Sequence, residues 1–588
     1  MSDGMPRPGE VGEATTARHL VRALADAGVE YLFANFGSDH PAIIEALAAA
    51  REAGEATPVV VLCPHEYVAM SAAHGYAAAT GRAQAVFVHT DVGTANLGGS
   101  VHNAFRSRVP VFVFAGLTPF TIAGELAGTR NTAINHLQDA PDQPALVRQY
   151  SKWQTDVRTG RNVPQLVARG LQLATSAPAG PVYLTGAREA LAETVPAARI
   201  DPGRWRPIVP ATVGSTTLDA FARDLDAAER PVLVTSYAGR DPEAPELLAW
   251  FAETFAVPVV EHYPERVNLA SDHPLHAGDD PHPLLAEADL VIALDTEAPW
   301  LCVKGAPRDD ARIWVVNEDP LEQAIPVWYA PADYHVRASA RGLLAPLRAA
   351  GEALREQHPV RHAARSAWAA QWHARFEDAV AAASAALAEP DALSAALVAH
   401  TVAELVDDDA IVVDESITST ADVWRHLPRR RAGTRINNGG TSLGWSGGGA
   451  LGVKLAHPDR TVVSLVGDGT FFFSVPSSSF WVAAQYGLAT LTIVLDNGGW
   501  GATKRNLLLQ HRGGVADATD SSFTNLGQSA DYAGIAAAAG GAWGSTVTTV
   551  SELRSTLTEA LATVAAGTPA VVTVRLPAIS QQQPDAIG

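Results

Sequence analysis

Two strand-like segments that end among glycines decide the fold of this chain. The first is "SLVGDGTFFFSV" (464–475), and the second is "ATLTIVLDNGGWG" (489–501). In each, an apolar run ends in an acidic or amide residue flanked by glycine, and 26 residues separate Gly469 from Asp496. Because the carboxyl ends of parallel strands meet at one edge of a sheet, Asp468 and Asn497 are predicted to face the same ligand.

The chemistry of these two turns favours a metal ion and a diphosphate. Asp468 offers a carboxylate oxygen, Asn497 an amide oxygen, and the glycines let backbone carbonyls approach closely. Hard oxygen ligands with few charges suit Mg²⁺ or Ca²⁺, and a diphosphate can supply the rest of the coordination shell. The glycine N–H groups, and the helix expected to start near Thr470, suit phosphate oxygens.

The bulk composition narrows the class of protein. A chain of 588 residues exceeds what one core usually supports, which predicts two to four domains. The net charge of −20 disfavours nucleic acid and anionic membranes as partners, since both need a basic surface. The chain has two cysteines, Cys63 and Cys302, no apolar signal segment and no apolar run of about 18 residues, so we expect a cytoplasmic protein.

Three stretches alternate strand-like and helix-like segments. They are residues 12–190, 205–348 and 390–580, called here the N-terminal, central and C-terminal blocks, and they contain apolar runs such as "TPVVVLC", "ADLVIALD" and "PAVVTVRL". The pattern predicts an α/β fold with three doubly wound parallel-sheet domains. The Ala-rich, charged stretch 349–390 predicts helices that link the second and third domains.

The sequence GDG, followed after about two dozen residues by DN, resembles the signature of the thiamine diphosphate-dependent enzymes. The branch concerned contains benzoylformate decarboxylase and acetolactate synthase, and the resemblance covers nearly the whole chain. It implies a pyrimidine-binding, a central and a diphosphate-binding domain, in that order. It also implies metal ligands at Asp468, Asn497 and the backbone carbonyl of Gly499. Asp496 replaces the usual first Asn, and it either hydrogen-bonds the loop or tunes the charge near the metal.

Two further segments resemble parts of the same family. "CPHEYVAMSAAHGYAAATGR" (63–82) matches the segment with the catalytic glutamate, which falls on Glu66. That carboxyl would hydrogen-bond the cofactor's pyrimidine N1′ and promote the tautomer that removes its C2 proton. "INNGGTSLGWSGGG" (436–449) implies that Leu443 supports the bent cofactor and that a carbonyl near Thr441 accepts from its amino group. The cofactor-binding residues expected are Glu66, Ser416, Ile417, Thr418, Thr441, Leu443, Gly467, Asp468, Gly469, Thr470, Asn497, Trp500 and Gly501.

The remaining polar candidates follow strands of the N-terminal block. Ser38 and His89 resemble the active-site serine and histidine of benzoylformate decarboxylase. A histidine can move a proton near neutral pH. His40 departs from the family pattern and is predicted to face the substrate. The aromatic run 471–473 is expected to belong to the core rather than to a pocket.

These features together predict a lyase or carboligase, most of all a 2-oxo acid decarboxylase, acting on a small 2-oxo acid, aldehyde or acyloin. The alternatives are an acetolactate synthase-like enzyme, a 2-hydroxyacyl-CoA lyase-like enzyme and a catalytically silent binding protein. FAD is not expected, because "VLVTSYAGRDPEAP" (232–245) lacks a Gly-rich loop, and the C-terminus (576–588) lacks the basic residues that CoA would need. The resemblance implies at least a homodimer, and a homotetramer is expected.

Overall fold

The computed structural model describes residues 10–355, 359–388, 390–519 and 523–578. It contains one parallel sheet in each block, with helices packed on both faces, and a two-stranded antiparallel sheet. This confirms the predicted α/β class with three parallel-sheet domains. The predicted lack of a basic CoA-binding C-terminus falls largely on residues 579–588, which lie outside the described residues.

The N-terminal block is built on a six-stranded sheet of order β3-β2-β4-β5-β7-β6, while β1 and β8 form the antiparallel pair. Its strands are β1 (Glu10–Thr15), β2 (Tyr31–Ala34), β3 (Val59–Leu62), β4 (Gln84–Val88), β5 (Val111–Leu117), β6 (Gln154–Val157), β7 (Val182–Ala187) and β8 (Thr194–Ala198). Its helices are α1 (Thr16–Asp26), α2 (Pro41–Glu52), α3 (Glu66–Thr80), α4 (Thr90–Asn96), α5 (Gly98–Arg106), α6 (Ile134–Leu137), α7 (Val163–Thr175) and α8 (Arg188–Ala192).

The central block has a five-stranded parallel sheet of order β10-β9-β11-β12-β13. Its strands are β9 (Pro231–Thr235), β10 (Val259–Glu261), β11 (Leu290–Leu294), β12 (Arg312–Asn317) and β13 (Tyr334–Arg337). Its helices are α9 (Ser215–Ala227), α10 (Ala244–Phe255), α11 (His282–Leu285) and α12 (Ala340–Arg355), and α13 (Pro359–Ala385) then connects it to the C-terminal block.

The C-terminal block has a six-stranded parallel sheet of order β15-β14-β16-β17-β19-β18. Its strands are β14 (Ile411–Glu415), β15 (Arg435–Ile436), β16 (Val462–Gly467), β17 (Leu491–Asp496), β18 (Trp543–Val547) and β19 (Ala570–Arg575). Its helices are α14 (Ala395–Leu405), α15 (Thr420–His426), α16 (Trp445–Ala456), α17 (Asp468–Phe473), α18 (Pro476–Gln485), α19 (Gly501–His511), α20 (Val515–Ala518), α21 (Tyr532–Gly540) and α22 (Val550–Ala565).

Most of the apolar runs form strands that are buried on both faces, whereas β3, at the edge of its sheet, is partly exposed. Every residue of β4, β9, β11 and β14 is buried, because helices cover the two sides of each sheet. Polar side chains therefore gather where the strands end. This arrangement places the ends of β2, β3 and β4 at one edge of the first sheet, and the ends of β16 and β17 at one edge of the third.

The N-terminal and C-terminal blocks meet where α3 crosses α16. The backbones approach so closely that a Cβ atom on Gly75 would lie 2.1 Å from the carbonyl oxygen of Gly449. A Cβ atom on Gly452 would lie 1.9 Å from the carbonyl oxygen of Ala72. Gly75 of α3 and Gly452 of α16 thus permit a helix–helix contact that no larger side chain could enter.

In the described part of the chain, none of the helices combines the length and the apolar character that a bilayer crossing requires.

Candidate active site

Glu66 stands at the first position of α3, directly after β3. Its side chain is 6 % exposed. One carboxylate oxygen accepts a hydrogen bond from the Asn35 amide at 2.9 Å, and the other accepts one from the Asn96 amide at 3.0 Å. Two neutral donors therefore hold a buried carboxyl in a fixed orientation at the edge where β2 and β3 end.

A second buried carboxylate of this block orients His89. His89 follows β4, and its Nδ1 lies 2.5 Å from Oδ1 of Asp39. The other oxygen of Asp39 accepts from the backbone N–H of Thr90 at 3.2 Å. On the far side of the imidazole, Nε2 lies 3.0 Å from the side-chain amide of Gln138. The ring is thus held between a carboxylate and an amide.

The charges of Asp39 and His89 support each other. Burial opposes the ionisation of Asp39, but hydrogen bonds from His40 and His89 outweigh it and hold the pKa of Asp39 well below its usual range. The hydrogen bond to Asp39 in turn raises the pKa of His89, against the effect of partial burial. The Oε1 atom of Gln138 is buried without a partner in the described structure. Turning that amide over would let it accept from a protonated His89.

The other two predicted residues of this turn differ in their placement. Ser38 is exposed at the turn that follows β2. His40 is fully buried, and its ring packs against Phe36, Phe87 and Phe114. The expectation that His40 faces the substrate is therefore wrong for this structure, since the proline at 41 starts α2 and turns the preceding side chain into the core.

Asp468 and Asn497 follow the adjacent parallel strands β16 and β17. Oδ1 of Asp468 accepts from the Gly469 N–H at 2.8 Å, whereas its Oδ2 is buried without a partner in the described structure. Burial raises the pKa of Asp468, and the N–H groups of Gly469, Gly499 and Gly498 oppose that effect. The amide oxygen of Asn497 accepts from the Gly499 N–H at 3.1 Å. An orphaned carboxylate oxygen beside an amide oxygen fits a hard divalent cation.

Backbone and amide oxygens would have to complete such a metal site. Among the described residues, His, Cys, Asp and Glu side chains form no cluster of three or more that could hold an ion. The carbonyl of Gly499 accepts from the Gly501 N–H at 3.1 Å, so this oxygen lies in the loop beside Asn497. The ligands predicted from the sequence therefore lie in two turns that follow adjacent strands, and a diphosphate would supply the remaining ligands.

Asp496 is the last residue of β17. It is fully buried, its Oδ2 pairs with the Arg575 guanidinium, and its Oδ1 accepts from the Gly498 N–H at 3.0 Å. Arg575 ends β19, the strand paired with β17. Asp496 is the position at which this chain departs from the family pattern. Its negative charge is neutralised by Arg575, and the hydrogen bond that it accepts from Gly498 anchors the loop.

We therefore expect Asp496→Asn to leave the affinity for Mg²⁺ within about twofold of wild type and to lower the free energy of unfolding by about 1–3 kcal/mol, the usual value of a charged hydrogen bond. Denaturant titration and Mg²⁺ titration measure the two quantities. Arg575→Gln removes the same pair from the other side, so the double variant should lose less than the sum of the single losses. A large change in Mg²⁺ affinity in Asp496→Asn would instead show that Asp496 tunes the metal.

The loop 441–443 docks onto the N-terminal block of the same chain. The Tyr67 hydroxyl donates to the Leu443 carbonyl at 2.6 Å. Asn103 donates to the Ser442 carbonyl at 2.8 Å and accepts from the Ser442 N–H at 3.0 Å. The exposed Thr441 contacts His102 at 3.2 Å. Leu443 is thereby held in place one residue before Gly444, whose φ is +91°.

The turn after β14 adds residues that the resemblance placed near the diphosphate. Ser416 is buried and donates to Asp414 at 2.7 Å. Ile417 is 47 % exposed and has a φ of +51°, which is an unfavourable conformation for a β-branched residue and is typical of functional turns. Thr418 lies against Gly501 at the start of α19, so this turn and the loop after Asn497 are neighbours.

The aromatic run after the GDG turn is divided. Phe471 is buried, as expected, but Phe472 is 45 % and Phe473 is 53 % exposed. The expectation that all three belong to the core is wrong, because α17 is a helix and presents successive residues in different directions. Phe473 packs edge-on against Trp500 at 5.9 Å, and the Trp500 ring covers Gly469. Gly467 precedes α17, and Thr470 is buried within it.

Several residues of the site escaped the sequence analysis. Asn35 ends the segment "YLFAN" and could have been found by the same strand-end argument that selected Asn497. Gln138 lies in an irregular segment with no comparable signal. Glu415 is fully buried, accepts from the Trp445 and Ser446 N–H groups at 3.3 and 2.8 Å, and burial raises its pKa to about 7.

In the described structure, no hydrogen bond or ion pair joins Glu66 to Asp468 or Asn497. The residues of the candidate site therefore form two groups. The Glu66 group contains Asn35, Asp39, Glu66, His89, Asn96 and Gln138, and the Asp468 group contains Ser416, Ile417, Thr418, Asp468, Gly469, Asn497, Gly499, Trp500 and Gly501.

Comparison with known proteins agrees with the positions of these groups. A family model described as "Thiamine pyrophosphate enzyme, N-terminal TPP binding domain" matches residues 14–146, and its C-terminal counterpart matches residues 417–574. Benzoylformate decarboxylase of Pseudomonas aeruginosa is 27 % identical over 456 residues, which cover 76 % of this chain and 80 % of the relative.

Two relatives with other activities have similar identity. Sulfoacetaldehyde acetyltransferase of Rhodobacter capsulatus is 27 % identical over 531 residues, covering 86 % of this chain and 85 % of the relative. The acetolactate synthase large subunit of Haemophilus influenzae is 24 % identical over 573 residues, covering 92 % and 91 %. Among solved structures, the thiamine diphosphate-dependent 4-hydroxybenzoylformate decarboxylase of Rhodococcus jostii RHA1 superposes with a TM-score of 0.75 at 22 % identity, covering 96 % of this chain and 100 % of that one, which is a likeness of fold.

Proposed function

Because the chain belongs to the thiamine diphosphate-dependent enzymes, in the group of the decarboxylases and acetolactate synthases, we propose that it is a Mg²⁺-dependent decarboxylase of a small 2-oxo acid. When bound, the cofactor supplies the electron sink that this chemistry needs. Asp468, Asn497 and the Gly499 carbonyl would hold the metal, and the glycine N–H groups beside them would bind the diphosphate. The buried Glu66 carboxyl would hold the pyrimidine.

The observation that supports a decarboxylase is the arrangement of Asp39, His89 and Gln138. Decarboxylation of a 2-oxo acid to an aldehyde replaces a carboxylate by hydrogen, so one proton must reach the carbon that loses CO2. His89 is partly exposed, and its hydrogen bond to Asp39 raises its pKa, which favours the protonated imidazole that a proton donor requires. Joining two carbonyl compounds into an acyloin also consumes one proton, but delivers it to the alkoxide oxygen of the second carbonyl compound rather than to the carbon that lost CO2.

The reaction requires that water be limited and that the substrate be oriented. Trp500 and the exposed Phe473 lie beside the Asp468 turn and could form an apolar wall. Ser38 is exposed near the Asp39–His89 pair and offers a hydroxyl to the substrate. These groups would bind a short 2-oxo acid, while its carboxylate would lie towards His89.

We expect His89→Gln to lower the rate of aldehyde formation by about 10²- to 10⁴-fold, the usual contribution of a general acid. Asp39→Asn should keep part of the activity but move the alkaline loss of activity to lower pH. The wild-type ion pair persists below the raised pKa of His89 and is lost as pH rises through it, and without Asp39 that pKa falls. The pH dependence of kcat/KM, measured on a panel of 2-oxo acids with products identified by mass spectrometry, tests both variants.

His273→Gln is the matched control, since this histidine of the central block pairs with the exposed Glu253 at 3.2 Å, outside the candidate site. It should retain wild-type activity. A pH profile of Asp39→Asn that superimposes on the wild type would refute the role of the pair. Acyloins as the main product, with aldehyde formation insensitive to His89, would favour an acetolactate synthase-like activity instead.

We also propose that the active unit is at least a dimer. Within one chain the Glu66 group and the Asp468 group share no hydrogen bond or ion pair among the described residues. A cofactor that needs both groups could bridge the N-terminal block of one chain and the C-terminal block of its partner.

A further inference from the structure

A cavity of about 140 Å³ lies where the central block, α13 and the C-terminal block meet. Five arginines line it, Arg266, Arg425, Arg429, Arg430 and Arg435, against three acidic residues, Glu261, Asp272 and Glu377. The excess of basic residues is unusual in a chain whose net charge is −20. The cavity is separate from the candidate active site.

Two of the five arginines have acidic partners. Arg430 pairs with Asp272 at 2.7 Å, and Arg425 lies 3.9 Å from Asp279. The carboxylate of Glu261 is occupied in another way, because it accepts from Asn268 at 2.9 Å and contacts His276 at 3.0 Å. The third acidic lining residue, Glu377, lies 3.9 Å from His373, so none of the acidic lining residues forms an ion pair with the remaining three arginines in the described part of the chain.

Those three, Arg266, Arg429 and Arg435, are 4 %, 5 % and 2 % exposed. Among the described residues, none of them has a carboxylate within ion-pair distance, and each donates only to backbone carbonyls. Nη1 of Arg435 and Nε of Arg429 are buried with no hydrogen-bond partner in that part of the chain. Burial lowers the pKa of Arg266 to about 10 and also lowers the pKa values of Arg429 and Arg435.

Buried charges without counter-ions are costly, and proteins usually pair them. A guanidinium matches the geometry of phosphate and can donate two parallel hydrogen bonds to it. We propose that this cavity binds a phosphate group, either as free phosphate or as part of a small phosphomonoester. Phe376 and Trp424 also line the cavity and offer an aromatic wall to the organic part of an ester.

The position of the cavity indicates what its occupant would do. It would contact α13 and both blocks that this helix connects. Arg266 also donates to the Asn437 carbonyl at 3.2 Å, and the Asn437 N–H donates to the Glu265 carbonyl at 3.0 Å. The bound anion would thus stabilise the contact between the central block and Asn437, which lies shortly before the loop 441–443. This inference does not depend on which reaction the enzyme catalyses.

The test uses the holoenzyme saturated with thiamine diphosphate and Mg²⁺, so that the diphosphate site is already filled. Calorimetric titration with inorganic phosphate should show one saturable site per chain, and phosphate should raise Tm relative to chloride at equal ionic strength. Phenyl phosphate is titrated in parallel. Tighter binding of phenyl phosphate indicates a phosphomonoester, whereas tighter binding of inorganic phosphate indicates the free ion.

Arg435→Gln should weaken phosphate binding by about 10- to 100-fold, as expected for the loss of charged hydrogen bonds. Since Arg435 is buried and this variant could fail to fold, Arg425→Glu provides the second test, because its side chain is 32 % exposed. Arg348→Glu, on the exposed face of α12, is the matched charge reversal and should bind phosphate normally. The absence of saturable phosphate binding to the folded holoenzyme, or undiminished binding in Arg425→Glu, would overturn the proposal.

Discussion

Glu66→Gln is expected to lower kcat by about 10²- to 10⁴-fold, the range for loss of an acid–base group, while the affinity for thiamine diphosphate changes little. Each carboxylate oxygen of Glu66 has one asparagine donor, from Asn35 and Asn96. A glutamine has only one acceptor for these two donors, and it cannot exchange a proton with the cofactor's pyrimidine. Steady-state kinetics and a cofactor titration followed by tryptophan fluorescence measure the two effects.

A matched variant separates this effect from a general loss of stability. Glu189→Gln makes the same change at another buried carboxyl of the N-terminal block, which is 5 % exposed and accepts from the N–H and hydroxyl of Thr121. It should retain activity. If Glu66→Gln turned over 2-oxo acids at the wild-type rate, the assignment of the activating carboxyl would be wrong.

Asp468→Asn is expected to weaken Mg²⁺ binding. Changing a residue that only supports a metal ligand costs about 10- to 100-fold in metal affinity, so changing a ligand itself should cost more. Thiamine diphosphate binding should weaken with it. The reason is that Asp468 provides the one carboxylate among the proposed ligands and has a buried oxygen with no partner in the described structure. Metal titration of cofactor binding measures the effect. Chelation of the metal in the wild-type protein should likewise release the cofactor, and its retention would contradict the metal bridge.

The same two variants test whether the active site lies between chains. A dimer that combines a Glu66→Gln chain with an Asp468→Asn chain has one site with both residues intact, provided each site draws on both chains. Random mixing of the inactive proteins should then restore about a quarter of the wild-type activity. No recovery after exchange of subunits would place the whole site within one chain.

The residues that follow strands could be predicted from the sequence, because the signal is local. His89, Asp468 and Asn497 each follow an apolar run directly, and parallel strands bring such positions to one edge. Glu66 begins α3 after a short connection from β3, and it was predicted from the resemblance. Asn35 has the same signal, since it directly follows β2.

His40 and Phe473 show where local pattern is insufficient. Each of these residues lies at the end of a helix, where the direction of the side chain depends on the local path of the backbone. His40 precedes Pro41 and turns into a core of three phenylalanine rings, whereas Phe473 ends α17 and points outward. The sequence pattern identifies these residues, but it does not show whether their side chains face the core or the solvent.

The sequence by itself thus predicted the class of fold and the polar strand ends at Asp468 and Asn497, because strand periodicity and glycine turns are short-range properties. Only the tertiary structure decided how charges are balanced. Asp39 meets His89 across 50 residues of sequence, and Asp496 meets Arg575 across 79. Such pairs depend on which strands are neighbours in the sheet, and the strand order is set by the packing of the whole domain rather than by any segment.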